Sequence, residues 1–538
     1  MNQNRKYDVW QPFLLAGMVV IGILIGVKMN TGTLDFVEKV SLGNAAGPIG
    51  RVEEVVRFIE SKYVDSLDSD QILEAAIADI MDDLDPHSIY LSARQLKSLD
   101  EQMNGYYRGV GVESFFIDDT LRISRVIKDS PAELSGIMPF DQLITIGDST
   151  IAGVNKPYSE IRELLRADGQ DKLKLGIKRR NNTSIIEAIV IPGEINLQSS
   201  KVAYSMEDNI AYIKVDRFSS NTYKEFMESL EVLIEKDSTR HLIIDLRDNP
   251  GGYLPETVNI LSQLFNEKGR LLVYTQGKSE KKVEYKTTGK NFFPVDKIAV
   301  LIDEGSASGS EIIAGAIQDW DRGLVIGRRS FGKGLVQEQY PLRNGGAIRL
   351  TISRYYTPSG RSIQKSYEDL DEYGNELYER YHNGEVYGNG YQEKEDSLVF
   401  FTKLLNRKVY GGGGIYPDVF VPADSTISIQ DQSQVYSYIP EFVFLERTKG
   451  EGQDFNTDDF FSFLVTRGLE KINDLKLNND DILKSLKAEY AYQTIGEIAR
   501  DSILNDNDPY ILEAIKYLHS NTSLKEYTEK VSTRSEEN

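Results

Sequence analysis

The sequence predicts an α/β multidomain protein with a helical segment near its start and a helical domain at its end. Three observations carry this. Strand and helix patterns alternate through residues 194–426, which argues for an α/β core. Residues 101–193 pack several short strand patterns and two helix patterns into a module of their own. Residues 51–100 and 427–538 show helical spacing of apolar residues instead. A chain of 538 residues holds about three to five domains at ordinary domain size, so this division is reasonable.

The first element is an uninterrupted apolar run, Pro12–Val27, preceded by Arg5 and Lys6 and ended by Lys28. Its length lies between a signal-peptide core and a membrane span. No small-x-small cleavage site follows directly, and Ala45-Ala46-Gly47 is a distant one. The segment 12–28 is therefore expected to be an uncleaved anchor, with a removed signal as the alternative. Residues 1–11 would stay in the cytoplasm on account of their basic residues. Helices are next expected over Arg51–Leu84, from Val52, Val55, Val56 and Ile59 and then Ile72, Ala75, Ala76 and Ile80. Asp85-Pro86-His87-Ser88 stops the second of them, since proline cannot continue a helix.

Strands are expected at Gly111–Ile117, Leu121–Val126, Gln142–Ile146, Lys172–Lys178 and Ile185–Ile191, with helices at Ser130–Glu133 and Tyr158–Arg166. A glycine-bearing loop, Tyr107–Val112, precedes the first strand. This order resembles a PDZ domain. Such domains add a protein's extended C-terminal tail to a sheet edge and hold its carboxylate on backbone N–H groups. The resemblance implies that Gly109, Val110, Gly111 and Val112 form the carboxylate loop.

In the core, strands are expected at Ile210–Val215, His241–Leu246, Arg270–Thr275, Ile298–Ile302, Leu324–Gly327, Leu335–Tyr340 and Ala347–Tyr355. Helices are expected at Tyr223–Glu235, Pro255–Phe265 and from about Ser310. Residues 366–410 interrupt the alternation and read as a surface insertion with little periodicity. Beyond residue 427 the chain is helical and acidic, either a separate domain or arms that pack on something.

A formal net charge of −21 argues against a nucleic-acid partner. The absence of cysteine excludes a thiol nucleophile, and the four histidines share no metal-ligand spacing, so neither a metal nor another cofactor is expected. The chemistry is concentrated in two short stretches. The strand Ile298–Ile302 runs into a small-residue turn with three serines, Ser306, Ser308 and Ser310, just before a helix. A serine on such a turn is lifted from the sheet beside free N–H groups. Gly332-Lys333-Gly334 follows, with Leu335 and Val336 behind it. A desolvated lysine can act as base to a serine, whereas a solvated one is only a turn residue. The rival base, His241, opens a strand whose other end leads to the glycine turn.

Several motifs in order resemble the C-terminal processing peptidases, also called tail-specific proteases. They are Leu84–Ser88 with Tyr90-Leu91, the PDZ-like module, Asp245–Gly252 (DLRDNPGG), Gly305–Glu311 (GSASGSE), Phe331–Gln337 (FGKGLVQ), Arg354–Gln364 (RYYTPSGRSIQ) and Ile415–Val419 (IYPDV). The resemblance implies a crotonase-like α/β protease core. It makes Ser308 the nucleophile, Lys333 its base and Gln337 the residue that orients the lysine. It makes the N–H groups of Gly309 and Gly252 the oxyanion donors, and assigns Arg166 to coupling tail binding with the active site. Gly309 stands where alanine is commoner, and Ala167 where glycine is usual. Glu311 is expected to play a structural part in the first helical turn. The resemblance implies a serine endopeptidase, and the apolar segment 12–28 is expected to anchor it in the inner membrane by a single pass, its catalytic part facing the periplasm or extracytoplasmic side. Its partners would be proteins or peptides with apolar C-termini, with a homodimer or a regulatory partner open to the helical ends. Two other readings compete: a non-catalytic PDZ adaptor on a protease-like core, and an acyl-CoA enzyme of similar core fold.

Overall fold

The structure, a computed structural model, describes residues 48–537 except 168, 181, 183, 207–208, 389–397, 424–428, 451–453 and 470–477. The expected anchor at 12–28 and the tail at 1–11 lie outside the described residues, among which no helix is long and apolar enough to cross a membrane. The chain divides into two units, Met1–Asp83 and Leu84–Asn538. In the first, helices Pro48–Lys62 and Ser69–Asp82 are described, the second capped by the Asp68 carboxylate, which accepts from the N–H groups of Asp70 and Gln71.

The second unit is built on a six-stranded sheet in the order Val202–Met206, Ile210–Lys214, His241–Asp245, Ile298–Ile302, Leu324–Gly327 and Val419–Phe420. The first pair is antiparallel and the rest are parallel. Side chains alternate faces along each strand. Ile213, Ile244, Val300 and Val325 face one core with the helices Thr222–Glu231, Leu254–Gln263 and Gly309–Asp319. Tyr212, Ile243, Leu301 and Ile326 face another, closed by Tyr510, Ile511, Ala514 and Leu518 of the helix Pro509–His519. The chain expected as one C-terminal helical domain over 427–538 is thus divided. Residues of its earlier helices, such as Val435, Phe442, Phe460 and Ile482, form their own cluster, while Pro509–His519 covers the second face of the core sheet. A sheet of buried parallel strands needs both faces covered, and among the described residues no helix inside 194–426 contributes to this one.

A second sheet joins Ala347–Tyr356 to Leu335–Pro341, to Leu271–Gln276 and to the short strand Ile89–Leu91. The stretch 84–100, expected with the N-terminal helices, therefore belongs to the second unit. The turn at Pro86 releases three β-forming residues that pair with Ala347–Arg349.

The small module holds a sheet of Val112–Ile117, Thr120–Val126, Gln142–Ile146, Leu173–Lys178 and Ile185–Val190, with Ser149–Thr150 beside the third strand. Its core is closed by Ile161 of the helix Tyr158–Arg166. Phe115 and Phe140 of the module pack on Phe444, and Tyr492 donates to Glu113 at 2.9 Å, so the helices after residue 429 brace the module.

The expected insertion is more regular than its composition suggests. It carries a helix, Leu370–His382, capped by Asp369, and a hairpin of Val399–Phe401 with Lys408–Tyr410. Leu370, Tyr373 and Leu377 keep helical spacing, which Gly374 and the many charges obscure.

Candidate active site

The strand Ile298–Ile302 is buried along its whole length and ends in a turn fixed by Asp303. The Asp303 carboxylate accepts from the N–H groups of Asp248, Gly305 and Ser306. Two of the three candidate serines are consumed here. Ser306 Oγ donates to the Leu246 carbonyl at 2.8 Å and Ser310 Oγ to the Asn249 carbonyl at 2.9 Å, both fully buried. Ser308 alone of the three lines a cleft, of about 650 Å³. It sits just before the helix Gly309–Asp319 with φ 53° and ψ −108°. A side chain at positive φ costs about 1–3 kcal/mol, so the surrounding bonds must hold it there.

One restraint is the Asn249-Pro250-Gly251-Gly252 turn. Asn249 Nδ2 donates to the Val215 carbonyl, and Asn249 Oδ1 accepts from Gly251 N–H at 2.8 Å. Gly251 has φ 97°, and a Cβ there would lie 2.6 Å from Ser308 Cβ and 2.9 Å from Gly309 N. The turn therefore lies against the serine only because residue 251 has no side chain. Among the described residues, neither the Gly252 nor the Gly309 N–H has an acceptor, and both residues line the cleft.

Lys333 lines the same cleft. Its Nζ donates to Gln337 Oε1 at 3.2 Å, and Gln337 Nε2 donates to the His87 carbonyl. Burial first, and then the Arg349 cation, push the Lys333 amine down to about 8 against the opposing pull of Glu311 and Asp85. Burial, then the Lys333 charge, pushes the His87 imidazole down to about 4. Its Nε2 lies 2.6 Å from the hydroxyl of Tyr373, on the insertion helix. His241 is remote from this chemistry: it stands at the opposite end of its strand, near Asp296, Lys297 and His519.

Two residues tie the serine turn to the lysine loop, and their role was not legible in the sequence. The buried Glu311 carboxylate accepts from Ser308 N–H at 2.8 Å, Gly332 N–H at 2.7 Å, Lys333 N–H at 2.8 Å and Ser330 Oγ at 2.5 Å. Burial raises its pKa to about 7 against the pull of these donors. Tyr355 donates toward the carbonyls of both Ser308, at 3.1 Å, and Lys333, at 2.5 Å.

The cleft thus brings Gly252, Ser308, Gly309, Lys333 and Gln337 together. Chemically, it places a serine hydroxyl, a buried amine that is partly neutral near neutral pH and two unclaimed N–H groups in one cleft. Gly109, Val110, Gly111, Val112 and Arg166 line a different groove, of about 290 Å³, on the small module. There the N–H groups of Val110 and Gly111 have no acceptor among the described residues. The Arg166 guanidinium is held by Glu101 at 2.9 Å. Glu101 belongs to the helix Ala93–Asn104, and Gln102 of that helix lines both the groove and the cleft.

The model of peptidase family S41 matches residues 209–371. A probable CtpA-like serine protease of Staphylococcus haemolyticus is 30% identical over 364 residues, 67% of this chain and 72% of that protein. The chain belongs to peptidase family S41. A carboxy-terminal-processing protease of Bartonella bacilliformis is 30% identical over 352 residues, 64% of this chain and 80% of that one. A solved structure of a photosystem II D1 C-terminal processing protease matches with TM-score 0.33 and 24% identity, over 57% of this chain and 82% of that one. This S41 peptidase is of the serine type and the C-terminal processing kind.

Proposed function

We propose that the protein is a membrane-anchored endopeptidase that captures protein C-terminal tails in a PDZ domain, residues 101–193, and cleaves them with Ser308 and Lys333. Neutral Lys333 Nζ takes the Ser308 proton as Oγ attacks the peptide carbonyl. The N–H groups of Gly309 and Gly252 receive the oxyanion. The lysine then gives its proton to the leaving amine, and later activates the water that hydrolyses the acyl-enzyme. Gln337 keeps the amine aimed, with the His87 carbonyl behind it. The observation that carries this reading is a lysine held out of water in the same cleft as the one serine of the turn whose hydroxyl donates to no described group of the fold.

Tail capture is supported by the groove. The strand Val112–Ile117 is the end strand of its sheet, so its outer edge can take another strand. Val110, Val112 and Leu165 give the groove an apolar lining beside the free N–H groups of the loop, which suits an apolar C-terminus. Arg166, now bound to Glu101, would couple tail binding to the cleft through the helix Ala93–Asn104. The apolar run at 12–28 would place the catalytic part on the extracytoplasmic side of the inner membrane.

The test uses peptides ending in an apolar residue. Wild-type protein should cleave them. Ser308→Ala should abolish cleavage and leave their binding within about threefold, because the groove lies apart from the serine. Binding without cleavage by the wild type would contradict the enzymatic reading and leave an adaptor.

A further inference from the structure

Arg349 lies on the strand Ala347–Tyr356, between Gln339 on one neighbouring strand and Ile89 on the other, and it lines the Ser308 cleft. Its guanidinium is half-buried, and that burial lowers its pKa. Four other half-buried or buried arginines of this unit are neutralised by carboxylates at 2.5–2.8 Å: Arg247 by Asp245, Arg328 by Glu304, Arg361 by Asp319 and Arg407 by Asp418; a fifth, Arg322, is held by the backbone carbonyls of Leu264, Val295 and Asp296. Arg349 has no such ion pair and no hydrogen-bond acceptor among the described residues. Asp100, in the same wall, is near enough to be felt electrostatically but lies outside ion-pair distance.

A partly desolvated, unpaired guanidinium is costly, and it is the side chain best shaped to grip a carboxylate with two parallel bonds. The chain as a whole carries −21 and repels anionic peptides, so a local cation decides where an acid is admitted. We infer that Arg349 is a specificity residue of the cleft that binds a carboxylate of the substrate while the scissile bond lies at Ser308. The carboxylate is an Asp or Glu side chain near that bond, or the free α-carboxylate of a short tail. This rests on the proteolytic reading of the cleft. Arg349 also acts on Lys333 through its charge, and that influence is common to all substrates. A ratio between matched substrates cancels it.

The experiment measures kcat/KM for peptide pairs that differ only by Glu or Gln at each position around the cleaved bond, and for one pair that differs by a free or amidated C-terminus. In the wild type one pair should favour the acid by about tenfold or more, the scale of a charge-assisted hydrogen-bonded pair. In Arg349→Met that ratio should fall close to one, and in Arg349→Lys it should be intermediate, since the charge stays and the fork is lost. If the methionine variant does not fold, the lysine variant alone gives the reduced ratio. A response in a side-chain pair assigns the site to an acidic residue, and a response in the acid–amide pair assigns it to the α-carboxylate. Ratios unchanged by both substitutions overturn the inference. If the wild type cleaves no peptide, the proteolytic reading fails by itself. The same pairs titrated against wild type and Arg349→Met by fluorescence anisotropy then still decide whether Arg349 separates acid from neutral.

Discussion

Replacing Lys333 by methionine should stabilise the protein at neutral pH, and the gain should disappear as the solution becomes alkaline. In the folded protein the amine titrates at about 8, against 10.5 for an ordinary lysine. Below pH 8 both folded and unfolded chains hold the proton, and the folded state carries the full cost of a charge kept from water. That cost is about 3 kcal/mol, at about 1.4 kcal/mol for each pKa unit. Between pH 8 and 10.5 the unfolded chain binds a proton that the folded chain has released, so wild-type stability rises with pH in this window. Methionine fills similar space without charge but loses the bond to Gln337, worth about 1 kcal/mol. The net gain expected at pH 7 is about 2 kcal/mol, falling by a similar amount by pH 9.5. Urea unfolding reads this through Trp320, which ends the Ser308 helix, in a chain where the other tryptophan, Trp10, is replaced by phenylalanine. A loss of stability at pH 7, or a difference that does not change between pH 7 and 9.5, would refute the argument that Lys333 is held out of water.

Gly251→Ala should inactivate the enzyme, because its Cβ would lie 2.6 Å from Ser308 Cβ at a backbone φ of 97°. The expected outcome is loss of kcat by about 100-fold or more, the cost of misplacing reacting groups by about 1 Å, with tail binding on the small module retained. Tyr355→Phe removes the hydroxyl shared by the carbonyls of Ser308 and Lys333. It should destabilise the fold by about 1–3 kcal/mol and lower kcat more than it raises KM, since what it loosens is the spacing of the reacting groups. Peptide kinetics and unfolding on the same preparation check both effects.

The core strands were legible because parallel strands buried on both faces read as apolar runs, as in Ile298–Ile302 and in Leu242, Ile243 and Ile244 of the strand His241–Asp245. The serine turn was legible to within three residues. Which serine remains for chemistry depended on the carbonyls of Leu246 and Asn249, some 60 residues away, and spacing alone does not report them. The same holds for Lys333. Its loop looks like a solvated turn until the strand pairing at Ala347–Tyr356 and the helix Leu370–His382 are folded beside it. That helix read as an irregular insertion, yet its Arg380 donates to the carbonyls of Arg329 and Ser330, just before the lysine. The helix Pro509–His519 was visible as a helix, but its apolar stripe does not name the sheet it covers. Glu311 shows the limit most clearly. Its place in the first helical turn was evident, whereas its hold on the lysine loop comes from residues 19 and 21 positions later in the chain.

The claim that Lys333 is the base for Ser308 is tested most directly by kcat/KM of the Lys333→Ala protein on a cleaved tail peptide. A fall of about 10⁴-fold or more is expected, as when one member of a nucleophile–base unit is removed. Activity within tenfold of the wild type would contradict it.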